Sequence, residues 1–137
     1  MTTIKDIQLI EFPKIKDRRG NLSFVEQDII PFEIKRIYYL YDVPSGSKRG
    51  GHSHIEQDAI LIALSGSFDV VLNDGSNEKV YTLNKPNFGL HIVKGIWREL
   101  QNFSSGSICL VISSDVFNEN DYIRSFKDFK LSKNRVS

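Results

Sequence analysis

Most of this chain consists of short apolar-alternating or β-branched runs, each closed off by Gly, Asn, Asp, Pro or Ser, and that pattern limits what it can fold into. The runs are "IQLIEF", "LSFVE", "IKRIYYLYDV", "DAILIALSGSFDVVL", "KVYTL", "FGLHIV", "IWREL" and "SICLVIS". Alternation with a period of two places apolar side chains on one face of a strand. Seven or eight such runs at this spacing predict an all-β domain, an antiparallel sandwich or barrel. "NDGSNE" carries Asp74 and Gly75 between two runs, a hairpin signal, and "SG" at 65–66 and "SSG" at 104–106 punctuate in the same way. A helical period emerges only in the tail, where Tyr122, Ile123, Phe126 and Phe129 predict a short C-terminal helix capped by Asn120 or Asp121. The closing "SKNRVS" reads as a frayed, solvated basic end.

At 137 residues the chain has room for one core, so residues 1–137 are expected to form a single domain. With 18 basic and 17 acidic side chains it has no bulk attraction to nucleic acid or to a membrane. An anionic partner must therefore be held by a few placed cations. A lone cysteine, Cys109, forms no internal disulfide, and no leading apolar segment reads as a signal peptide or a span. Both point to a cytoplasmic protein. Cys109 lies in the strand-like "SICLVIS" and reads as a small core residue.

The chemistry concentrates in "GGHSHIEQD", residues 50–58. Positions i and i+2 of a strand share a face, so His52 and His54 project side by side while Ser53 faces away. Gly46, His52, His54 and Gly66 have the spacing of the first motif of the cupin superfamily, which they resemble. That resemblance implies a small antiparallel β-barrel or jelly roll. Many cupins bind a divalent metal through both histidines, an acid a few residues on and a later histidine. Here that acid would be Asp58, though in the motif's longer spacing its place falls on Ala59, and the later position is Arg98, a permanent cation that cannot ligate a metal. His91 lies well before that position. No metal and no other cofactor is expected, which leaves acid–base chemistry or a purely structural pair.

Over nearly its whole length the chain also resembles the cupin-fold sugar nucleotide 3,4-ketoisomerases, through "RGNLSFVE", "IPFEIKRIYYLYDVPSGSKRGGHSH", "LSGSFDVVLNDG", "GLHIVKGIWRELQNFSSGS" and "ENDYIRSF". The resemblance implies conversion of dTDP-4-keto-6-deoxyglucose to a 3-keto-6-deoxyhexose, on the way to 3-amino-3,6-dideoxy sugars of glycans such as lipopolysaccharide. By similarity His52 is the base that removes the C3 proton, Tyr38 relays or supplies a proton, and His54 holds the sugar or orients His52. Arg19, Arg36, Arg49 and Arg98 are the expected substrate-binding cations, their guanidinium forks suiting pyrophosphate and sugar oxygens. Tyr39, Phe88 and Trp97 are candidates to stack on thymine. The chain departs from many relatives at Ile55 and Ala59, where they carry Lys and Gln. Arg19 resembles the group yielding a galacto product and Arg98 the group yielding a gluco product, so the C4 configuration stays open. The family further implies a homodimer with exchange of N-terminal strands. Two other classes remain at this point: a sugar nucleotide binding module without catalysis, and a metal-dependent cupin oxygenase.

Overall fold

The structure, a computed structural model, describes residues 1–134. Its strands are β1 (Gln8–Glu11), β2 (Lys14–Asp17), β3 (Gly20–Ser23), β4 (Arg36–Leu40), β5 (Arg49–His54) and β6 (Ala59–Ser65), followed by β7 (Phe68–Asn73), β8 (Glu78–Leu83), β9 (Phe88–Ile92), β10 (Trp97–Gln101), β11 (Ile108–Ser113) and β12 (Tyr122–Ile123). One helix, α1 (Phe126–Asn134), follows them. Two five-stranded antiparallel sheets, in the orders β1-β9-β6-β11-β4 and β12-β5-β10-β7-β8, carry all but the β2–β3 hairpin. This is the small antiparallel fold that the cupin resemblance implies, with two facing sheets rather than a closed ring.

The sheets face each other across one core. Leu61, Ala63, Leu90, Ile92 and Val111 of the first sheet pack with Phe68, Val70, Leu72 and Leu100 of the second. β7 alternates buried and half-buried positions, as a strand with one face on a core must. The run over 58–72 is two strands, because Gly66 turns the chain at φ +67°, where a side chain would collide with Ser107. Asp74 and Gly75 do make the β7–β8 turn: Asp74 Oδ1 accepts the Ser76 and Asn77 amides, and its Oδ2 reaches across to the Ile4 amide.

Two expectations about the tail need correction. Tyr122 and Ile123 pair with His54 and Ser53 as strand β12, and the helix starts only at Phe126. The spacing of the four apolar residues fitted a helix, but antiparallel pairing with β5 takes the first two. Ser125, not Asn120 or Asp121, serves the helix start, accepting the Asp128 amide on its hydroxyl and the Phe129 amide on its carbonyl. Nor is the basic end wholly solvated: Lys133 is buried, and its ammonium donates to the Thr2 and Gly95 carbonyls at 2.8 Å each. Arg135, Val136 and Ser137 of that stretch lie outside the described residues.

Every residue of the β2–β3 hairpin is exposed, including Ile15 and Leu22. A cavity of about 660 Å³ lies between it and the outer face of the first sheet, lined by Ile62, Leu64 and Leu110. Tyr39 and Ile37 extend that apolar outer face along β4. No helix among the described residues is long and apolar enough to cross a membrane.

Candidate active site

His52 is aimed by an irregularity in its own strand. Arg98 of β10 stands opposite His52, and Leu100 opposite Arg49, so β5 spends one more residue than β10 over the same span. The extra residue is accommodated at Gly50, whose φ of +85° favours glycine. A strand bent in this way presents His52 and His54 inward.

The two imidazoles meet edge to face, with Nε2 of one 3.2 Å from Nε2 of the other. The second nitrogen of His54, Nδ1, lies 3.2 Å from Asp121 Oδ2. Asp121 is itself buried and fixed in place, accepting the Glu56 amide at 2.7 Å and the Gln57 amide at 3.2 Å. Tyr122 covers both rings, its centroid 5.0 Å from that of His52 and 4.5 Å from that of His54. Burial, then the Arg98 cation, hold both imidazoles neutral: His52 is pushed down to about 3 and His54 to about 2.

Arginines and tyrosines from three strands surround the pair. Arg98 is buried and donates to the Ile96 carbonyl at 3.1 Å, and that burial pulls its guanidinium down to about 10. Arg36 sits over the Tyr38 ring at 4.7 Å and brings Nη2 to 3.4 Å from Gln57 Oε1 and 3.5 Å from the Tyr122 hydroxyl. Burial, then Tyr122, raises the Tyr38 phenol, against the pull of Arg98 and Arg36, so it stays protonated at neutral pH. Three buried donors in this group have no acceptor among the described residues: Arg36 Nε, Arg98 Nε and Gln57 Nε2. An unpaired buried donor costs roughly 1–3 kcal/mol, so the grouping of three is unfavourable in a protein that binds nothing there. It suits an oxygen-rich ligand.

The donor set does not suit a divalent cation. Among the described residues no third histidine, cysteine or carboxylate completes a ligand group with the two imidazoles, His54 Nδ1 faces Asp121, and Arg98 stands opposite His52 in the strand register. Asp58 is turned elsewhere, its Oδ2 on His91 Nε2 at 3.2 Å and its Oδ1 on the Lys94 amide at 2.9 Å.

Of the residues singled out from sequence, His52, His54, Tyr38, Arg36 and Arg98 come together. Arg49 opens β5 exposed, opposite Leu100 and beyond the bulge that precedes the two histidines. Arg19 stands outside the cluster at the hairpin tip, its side chain 85% exposed and paired with Asp17 at 2.8 Å. Trp97 packs against Phe126 and Phe129 of α1, Tyr39 lies on the outer face of β4, and Phe88 lies beside Lys85. None of the three is among the groups around the histidine pair. Asp121, Tyr122 and Gln57 were not foreseen. The acid–aromatic pair in "ENDYIRSF" was a signal, but it read as a helix cap.

The family description "FdtA: WxcM-like, C-terminal" matches residues 5–134. Among characterised proteins, the chain is 40% identical over 124 residues to the TDP-4-oxo-6-deoxy-alpha-D-glucose-3,4-oxoisomerase of Aneurinibacillus thermoaerophilus, covering 90% of this chain and 89% of that one. A 3,4-ketoisomerase from Helicobacter canadensis superposes with a TM-score of 0.91 at 48% identity, over 94% of this chain and 98% of its own. QdtA, the sugar 3,4-ketoisomerase of Thermoanaerobacterium thermosaccharolyticum, superposes in complex with TDP with a TM-score of 0.94 at 36% identity, over 97% and 98% of the two chains. A histidine-to-asparagine mutant of that enzyme holds TDP-4-keto-6-deoxyglucose.

Proposed function

The chain belongs to the FdtA family of WxcM-like C-terminal domains, and on that premise we propose that it is a 3,4-ketoisomerase of TDP-4-keto-6-deoxyglucose. The observation that carries the proposal is the grouping of three acceptorless buried donors, on Arg36, Arg98 and Gln57, around two neutral imidazoles. A neutral imidazole is a base, and stationary N–H donors beside it stabilise the oxyanion that forms when a proton leaves carbon next to a ketone.

The reaction begins as His52 takes the proton from C3, the C3–H electrons form a C3=C4 bond, and the C4 carbonyl oxygen becomes an oxyanion. Reprotonation at C4 and collapse of the C3 oxygen to a carbonyl then require the C3 hydroxyl proton to reach O4. Tyr38, held protonated, serves that transfer. Arg98 and Arg36 face the developing charge, and a single donor so placed is worth roughly 3–4 kcal/mol of barrier. No metal takes part in this scheme. The product is a TDP-3-keto-6-deoxyhexose, a precursor of 3-amino-3,6-dideoxy sugars, formed in the cytoplasm.

Incubation with TDP-4-keto-6-deoxyglucose in deuterated water tests this reading by NMR. Deuterium at C3 and a new C4 signal are expected; TDP binding without exchange would make the protein a binding module instead.

The assembly is a homodimer formed through the N-terminal arm. Supporting this, the β2–β3 hairpin belongs to neither large sheet, and its Ile15 and Leu22 are 57% and 56% exposed opposite an apolar sheet face. In that dimer Arg19 serves the partner's site. Sedimentation as a monomer at micromolar concentration overturns it.

A further inference from the structure

The Asp121 carboxylate is a pure acceptor fixed by two backbone amides, so it draws the proton of a neutral His54 to Nδ1 beside it. His54 Nε2 is then a lone pair, and it faces His52 Nε2 at 3.2 Å. Resting on the ketoisomerase reading, we propose that Asp121 is a positioning residue that, through His54, keeps His54 Nε2 an acceptor for a proton on His52 Nε2, the slot in which the charge gained from the substrate's C3 proton is shared.

The step balances. The C3–H bond breaks, its electron pair stays with the sugar as the enediolate, and the proton binds the free ring nitrogen of His52, whose Nε2–H then donates to His54 Nε2. The positive charge shared by the rings lies against the Asp121 carboxylate. Return of the proton to C4 restores the neutral pair. Without such compensation the surroundings oppose a charge here. Arg98 of β10, Arg36 of β4 and Arg124 after β12 all disfavour an imidazolium, while Glu119 and Asp121 are the acids near the rings; the Tyr38 phenol is held protonated, and the Tyr122 ring covers the pair. Asp121 is the acid in direct contact, and its position is fixed by two backbone amides rather than by the rings it serves.

The test begins with long-range proton–nitrogen NMR of the free, labelled protein at neutral pH, which reads each ring's tautomer without any turnover. A proton on Nδ1 of His54 is expected; a proton on His54 Nε2 overturns the proposal. In Asp121→Asn the His54 tautomer should shift, kcat should fall about tenfold to a hundredfold, a share of the contribution usual for a proton-transfer group, and KM should stay within about twofold. The acid limb of the kcat profile should move to lower pH, because a charged pair without Asp121 is harder to form. Asp121→Glu should recover part of the rate. A loss of melting temperature and a raised KM with an unmoved pH profile would instead mark a purely structural Asp121. Wild-type protein that exchanges no deuterium at C3 sinks the isomerase reading, and the tautomers still decide whether the slot exists.

Discussion

Two carboxylate–imidazole pairs occur among the described residues, Asp121 with His54 and Asp58 with His91, and their atoms stand at the same 3.2 Å. Distance does not distinguish them; what lies beyond the imidazole does. His54 passes its contact on to a second imidazole, among arginine and glutamine donors that have no acceptor. His91 ends against the Phe32 ring, and its partner Asp58 is engaged by the Lys94 amide, tying the approach to β6 to the end of β9. The first pair is the anchored end of a chain that continues toward a reacting carbon. The second is a clasp between two strands. A histidine beside an acid therefore means little until the next contact is known.

The sharpest way to break this contrast is His52→Asn, which removes the group that only the first pair leads to. C3 exchange in deuterated water should fall about a thousandfold, as expected when a general base is lost. Undiminished exchange would place the base elsewhere. Next in size is Arg98→Met, which takes away a buried donor beside His52 and no hydrogen bond from the Asp58 pair. Turnover should drop roughly a hundredfold. The melting temperature should hold or rise, because an apolar side chain replaces a buried cation that has one hydrogen bond.

Asp58→Asn probes the clasp. Turnover should stay within about twofold, while urea unfolding at pH 7 should show a loss of about 1 kcal/mol, the usual worth of one hydrogen bond. Its pH dependence has a definite sign. Burial pushes the Asp58 carboxyl up, but the His91 and Lys94 hydrogen bonds outweigh that and hold it below 3.8. A carboxyl lowered by folding stabilises the protein above its unfolded value and ceases to do so as pH falls through the folded value. Wild-type protein should therefore lose its advantage over Asp58→Asn below about pH 4, where the unfolded carboxyl titrates. The smallest effect concerns Cys109, whose thiol burial pushes up to about 12. Ellman's reagent should leave it unmodified in the folded protein; rapid labelling would show that the core between the sheets opens.

The histidine pair, its strand and most of the sheet were legible in the sequence because each is local: a period of two, a turn residue, a spacing of two. Tyr38, Arg36 and Arg98 were reached through resemblance and then found together. Asp121 was not legible, since 67 residues separate it from His54 and nothing in its neighbourhood prescribes that meeting. Tyr122 and Ile123 misled for a related reason. Their spacing to Phe126 and Phe129 satisfies a helix, and only pairing with β5 makes them a strand. Arg19 was read as part of the site from its place in a motif, but the hairpin carries it outside the cluster of its own chain.

Lys133 ties the last helical turn to Thr2 across 131 residues, and β12 lays Asp121 and Tyr122 over histidines that leave the ribosome long before them. During synthesis the two large sheets, β12 aside, can therefore be complete while the pair still lacks its acid and its aromatic cover. A nascent chain at that stage would have a fold but no functioning base. Activity in such a protein arrives as the final event of folding, so its appearance in a translation reaction should lag behind protection of the core against proteolysis.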